Sequence, residues 1–159
     1  MSAVSALIAG VMAAYTLGPS GFYRMCLDNP TECRRVTQTR ILSVDEVREI
    51  NTSVNTSIRP KIESPGSDDW RVEPTSGDCE DYAITKRRLL IAKGIGSANA
   101  RIAVGKLKSG DHAVLLVTLR GQTYVLDNLT DAMWSAEQST MKITSIQSIN
   151  NPRMWLRPK

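Results

Sequence analysis

The hydrophobic pattern of this chain changes period once, around Gly94 and Gly96. Before that point apolar residues recur at three- and four-residue steps; after it they form short alternating runs. Ser43 followed by Glu46 reads as a capping box, and Val44, Val47, Ile50, Val54 and Ile58 continue a helix until Pro60 ends it. A second helix is expected from Asp78 to Ala92, with Asp78 as its cap and Lys93-Gly94 as its stop. Three β-type runs follow, Ala100 to Leu107, His112 to Leu119 and Thr123 to Leu126, divided by Ser109-Gly110 and Arg120-Gly121. Helices followed by antiparallel strands make the expected class α+β. Between the helices, Lys61 to Gly77 reads as a long surface loop carrying Trp70. Asp131 to Gln138 is expected to add a helical turn, and Asn151 to Pro158 to be irregular.

A length of 159 residues suits one domain, and 42% hydrophobic content suffices for its core. The balance of 20 basic and 16 acidic residues gives +4, with no basic run interleaved with aromatics, so nucleic acid is not an expected partner. Three cysteines without a Cys-x-x-Cys pair or a histidine cluster exclude a zinc domain. Cys26 and Cys33 flank Pro30 at a spacing that a turn closes into a disulfide in an oxidising compartment; the alternative is two buried thiols. Val4 to Ala14 is apolar but short of the ~20 residues of a membrane span. It reads either as a signal-peptide core or as a retained helix packed on the domain or a partner subunit. Residues 1–20 are therefore set apart from a domain over 21–159.

Gly77-Asp78-Cys79-Glu80-Asp81 puts a cysteine in the first turn of the second helix. Unpaired N–H groups there favour a thiolate, whereas Asp78, Glu80 and Asp81 oppose one, so the site calls for an imidazolium or a bound cation. The chain contains one histidine, and any imidazole chemistry must use His112. If Arg120-Gly121 is a two-residue turn, Leu119 faces Gln122 and Asp127 lies diagonally beside His112 on one sheet face, able to accept from Nδ1. Taken singly, Cys79 reads as a core cysteine, His112 as a strand-end residue and Asp127 as a turn former. Together they supply a nucleophile, a base and an orienting acid, the parts of an acyl-transfer site.

These residues resemble a known family. Gly77 to Ala83 with Lys86-Arg87-Arg88-Leu89-Leu90, His112-Ala113-Val114-Leu115 and Val125-Leu126-Asp127-Asn128 are similar to the bacterial transglutaminase-like cysteine proteinases of the papain/transglutaminase-fold superfamily. Weaker echoes are Gly21-Phe22-Tyr23, the Cys26 and Cys33 pair, Val54-Asn55, Asp69-Trp70, and Asn151-Pro152 with Trp155. The resemblance implies a Cys79, His112, Asp127 triad, with the nucleophile helix packed on an antiparallel sheet. It implies a peptidase and no organic cofactor. The best-known type is a periplasmic, calcium-dependent protease that clips large bacterial surface adhesins. Carried over by position, its calcium acids are Asp78 and Glu80, with Asp81 added. Trp70 is the candidate substrate neighbour. A second reading keeps the fold without activity, as a component of a phage particle or envelope assembly whose apolar N-terminus contacts neighbouring subunits.

Overall fold

The structure, a computed structural model, describes residues 14–158. The alternatives for the apolar N-terminal run fall on residues 1–13 and so lie outside the described residues. Ala14–Thr16 forms strand β1 of the main sheet, so the folded unit reaches at least to Ala14.

The loop signal at Gly18 to Gly21 leads into a helix that periodicity did not announce, α1 (Ser20–Asp28), with Pro19 at its N-cap. It buries Phe22, Met25 and Cys26, and a 3-10 turn, Pro30–Cys33, returns the chain so that Cys33 bonds Cys26 across a Cα separation of 5.8 Å. Helix α2 (Val44–Ser57) starts at the expected capping box: Glu46 N donates to Ser43 Oγ at 3.2 Å, and Ser43 N donates to Glu46 Oε2 at 2.9 Å. Its inward face is Val47, Ile50, Asn51 and Val54.

Two short parallel strands, β2 (Arg59–Pro60) and β3 (Ser76–Gly77), close the long loop at its base. Here the sequence reading needs correcting. Trp70 is only 5% exposed, its ring standing edge-on to Phe22 at 5.6 Å and its indole N–H donating to Asp68 Oδ1 at 2.8 Å. Such a side chain is an anchor of the loop in the core rather than a surface offered to substrate.

Helix α3 (Cys79–Ala92) is buried on nearly every side, through Tyr82, Ala83, Ile84, Thr85, Lys86, Arg87 and Leu90. The remaining strands are β4 (Ala100–Leu107), β5 (Gly110–Leu119), β6 (Gln122–Asp127), β7 (Thr130–Ser135), β8 (Lys142–Gln147) and β9 (Trp155–Arg157). They join β1 in a seven-stranded sheet of order β1-β9-β8-β4-β5-β6-β7, antiparallel throughout. Two further expectations give way. Thr130–Ser135 is a strand, with only Ala136–Gln138 as a 3-10 turn, and Trp155–Arg157 is a strand zipped to β1 and β8.

Alternation along β5 divides the core. Leu115 and Val117 join Phe22, Val47, Tyr82, Leu126 and Trp155 in one cluster, while Val114 and Leu116 join Val125, Ile143 and Ile146 in another. Each fully buried aliphatic side chain contributes on the order of 1.5–3 kcal/mol, which makes this register costly to shift. Among the described residues no helix is long and apolar enough to cross a membrane.

Candidate active site

Cys79 is the first residue of α3 and Asp78 its N-cap. The turn before it is held by Asp81, whose buried carboxylate accepts from Arg71 N at 2.7 Å, Arg71 Nη2 at 3.1 Å and Asp78 N at 3.3 Å. The Asp81 side chain fills the space that a Cβ on Gly77 would need, so glycine at that position lets the helix turn back onto its own loop. Asp81, grouped by position with the calcium acids, thus has its oxygens committed to three donors. Burial raises its pKa above the ordinary carboxylate value, against the hydrogen bonds and charge of Arg71.

Cys79 is the free cysteine, and it is partly exposed. Its Sγ donates to Glu80 Oε2 at 3.2 Å. Burial pushes the thiol well up from its ordinary pKa, Glu80 adds to that rise through its charge and hydrogen bond, and the backbone of Ala113 opposes it by hydrogen bonding the sulfur. That last contact sets the sulfur beside β5 at the residue following His112.

His112 is 9% exposed and its Nε2 lies 2.8 Å from Asp127 Oδ1. The bond was expected at Nδ1; the structure makes it at Nε2 and leaves Nδ1 as the ring nitrogen not engaged by the carboxylate. The register behind it is the expected one: Leu119 faces Gln122, the pairing runs on to Leu115 and Leu126, and Arg120 and Gly121 form the two-residue turn with φ of 48° and 81°. Beyond Val125 the next pairing shifts register, and Asp127 then faces Thr130. Asp127 Oδ1 also accepts from Leu129 N at 3.1 Å. Burial works to raise the Asp127 pKa, but the bond from His112, the Leu129 N–H and the charge of Lys86 outweigh it and hold the carboxyl below its ordinary value.

Asn55, present in the sequence reading only as a family echo, supports the candidate site from α2. From α2 its amide donates to Asp127 O at 3.0 Å, Thr130 O at 3.1 Å and Asp131 Oδ1 at 2.9 Å, pinning the β6–β7 turn that carries the acid. A polar residue on an otherwise inward-facing helical stripe was the signal available.

Asp78 and Glu80 remain as candidate cation ligands. Asp78 Oδ1 is buried without a hydrogen-bond partner among the described residues. Burial, a hydrogen bond to Glu80 and the charges of Glu80, Asp81 and Glu63 push the Asp78 carboxyl up to about 8. Hard carboxylate oxygens crowded in this way fit a hard dication. Among the described residues, however, no group of three or more His, Cys, Asp or Glu side chains is disposed around a common metal position. The fit is therefore that of a two-carboxylate pair, without Asp81.

Comparison with known proteins bears on the fold and the family. LapG of Legionella pneumophila superposes with a TM-score of 0.57 at 26% identity, over 70% of this chain and 67% of that one. Its calcium-bound form superposes with a TM-score of 0.62 at 20% identity, over 100% of this chain and 91% of that one, a likeness of fold. An EGTA-treated form matches at 24% identity, with a TM-score of 0.57 over 72% and 67% of the two chains. No curated protein sequence matches the chain. The sequence model for the bacterial transglutaminase-like cysteine proteinases matches residues 12–158, so the chain belongs to that family and is a cysteine peptidase.

Proposed function

We propose that Cys79, His112 and Asp127 are the catalytic triad of this peptidase and that its substrate is a protein or peptide outside the cytoplasm, a bacterial surface protein in the periplasm being the favoured case. The observation that carries the reading is the 2.8 Å His112 Nε2 to Asp127 contact, next along β5 to Ala113, whose backbone meets the sulfur of the helix-start Cys79. With Asp127 holding Nε2, Nδ1 is the nitrogen that takes the Cys79 proton. The thiolate attacks the scissile carbonyl, and the developing oxyanion is received by free N–H groups at the start of α3. The imidazolium then returns its proton to the departing amine, and water, activated by the same ring, releases the acyl group.

Asp78 and Glu80 are the residues proposed to hold calcium, in keeping with the calcium-bound state of the similar LapG. A dication there supplies positive charge that neutralises the carboxylates otherwise opposing a thiolate. The Cys26–Cys33 disulfide supports an oxidising compartment.

The decisive test uses the pH dependence of Cys79 alkylation by iodoacetamide. In the wild type with calcium, Cys79 is expected to react at neutral pH faster than a model thiol, and His112→Ala to reduce the rate to that of an ordinary buried thiol. Equal rates in wild type and His112→Ala would favour a virion or envelope component that keeps the fold without the chemistry.

A further inference from the structure

The two core clusters are closed differently. Buried residues of α1, α2 and α3 pack into the first, whereas the second is built from strand residues and the turn that leads from Ala136 to Met141, with no residue of the three helices among its members. That cover is incomplete. Where it stops, a cavity of about 300 Å³ opens on the sheet, floored by Val114, Val125 and Met141, walled by Leu107 and Trp134, and bordered on one side by Asp127.

Trp134 is the tryptophan without a role in the core. Trp70 and Trp155 are buried, yet Trp134 is 50% exposed on β7, opposite Val125. An indole kept half in water beside an open apolar notch adds little to folding and offers a large, rigid contact to whatever enters.

The cavity continues the candidate active site. On β5, His112 and Val114 are two positions apart and so share a face, roughly 7 Å along the strand. Leu116 pairs with Val125 on that face, and Asp127, two residues beyond Val125, both lines the cavity and bonds His112. In an acyl transfer the imidazolium must reach the departing nitrogen, so the departing half of a polypeptide lies on the histidine side of the sulfur. From there its next side chain meets Val114 and Trp134. We propose that this cavity is the subsite for an uncharged apolar side chain, of the size of leucine or methionine, on the departing side of the scissile bond, with Trp134 setting that preference. The inference rests on the triad proposed above.

Size and charge both select such a side chain. A volume at the lower end of small-ligand sites holds one large side chain with its share of backbone. The charged residue in the lining is Asp127, whose Oδ1 is already engaged by His112 and by Leu129 N at 3.1 Å. An acidic side chain meets a like charge there, and a basic one competes with His112 for its acid. A small polar side chain loses water against the Val114, Val125 and Met141 floor without gaining a partner.

Binding can be tested without a substrate. H-Leu-Gly-NH2 and its Ser, Glu and Lys counterparts, whose free amines mimic the departing half, are titrated into the full chain at neutral pH with calcium present. Binding is followed by NMR at the Trp134 indole N–H, assigned by its loss in Trp134→Phe, at the Val114 and Val125 methyls, and at the His112 ring. The leucine peptide is expected to shift all of these together and to bind about tenfold more tightly than the serine peptide. Trp134→Ala is expected to erase that preference. No shift, equal affinity for leucine and serine, tightest binding of the lysine or glutamate peptide, or shifts that spare the His112 ring would each overturn the inference. Should Trp134→Ala not fold, the ranking of the peptides on the wild type decides alone. A Cys79 alkylation rate unchanged by His112→Ala would instead overturn the triad, and that measurement involves no peptide, so the two failures are distinguishable.

Discussion

Asp78 and Cys79 share one electrostatic difficulty, for burial and the neighbouring carboxylates disfavour the anionic form of both. For Asp78 the consequence can be read as stability. Its folded-state pKa, about 8, lies above the ordinary 3.8, so folding favours the protonated form. That contribution is complete below pH 4 and is lost as pH rises toward 8. In chelator, Asp78→Asn is therefore expected to raise the urea midpoint relative to wild type, more at pH 8 than at pH 4. In calcium, the wild type should melt at a higher temperature by mass action on the folded state, and Asp78→Asn should lose most of that rise. No calcium effect in the wild type would withdraw the metal proposal and leave the triad proposal untouched. At this scale the sequence revealed which side chains could do chemistry, because cysteine at a helix start and a single histidine leave few choices. It could not reveal their partners. That Asp81 belongs to Arg71, that the ring bonds through Nε2, and that Lys86 is buried all depend on how separate elements meet.

The β5–β6 hairpin is the element whose reading mattered most, since its two-residue turn sets which strand positions share a face. Arg120 occupies the first central position at φ 48°, a left-handed conformation that suits asparagine or glycine better than arginine. Arg120→Asn is expected to raise the unfolding free energy by about 0.5 kcal/mol, read from the urea midpoint, without changing Cys79 reactivity. A loss of stability would mean that the turn differs from the one described. The long helices and central strands were legible because each carries an unbroken period and a clear stop. The edges were not. Helix α1 is nine residues long and starts among glycine, proline and serine, so its amphipathic face is too short to stand out. Strand β8 mixes Thr144, Ser145 and Gln147 with its isoleucines, and β9 is three residues whose only reason to be extended is the pairing with β1 and β8. Trp70 failed for the same reason in reverse: loop composition gave no sign that Phe22 would receive its ring.

Across the whole molecule, the N-terminal layer is fastened to the catalytic unit by a few buried links. Arg87 on α3 donates to Glu32 O at 2.6 Å and to Ala100 O at 2.9 Å, tying the disulfide turn to both helix and sheet. The disulfide closes a short loop, with a sequence separation of 7. Replacing both Cys26 and Cys33 by serine is expected to cost about 2 kcal/mol of unfolding free energy. The pH profile of Cys79 alkylation should persist, since no residue of the proposed triad lies in that layer. Loss of the profile along with stability would show that the layer shapes the site.

The hydrogen bond from Cys79 to Glu80 also bears on the lifetime of the enzyme. Peroxide attacks thiolates far faster than thiols, and a sulfur kept protonated at rest is slow to enter the sequence from sulfenic to sulfinic acid. If Cys79 is the nucleophile as proposed, the carboxylates that hold its proton in the absence of a bound cation therefore also slow its loss to oxidation.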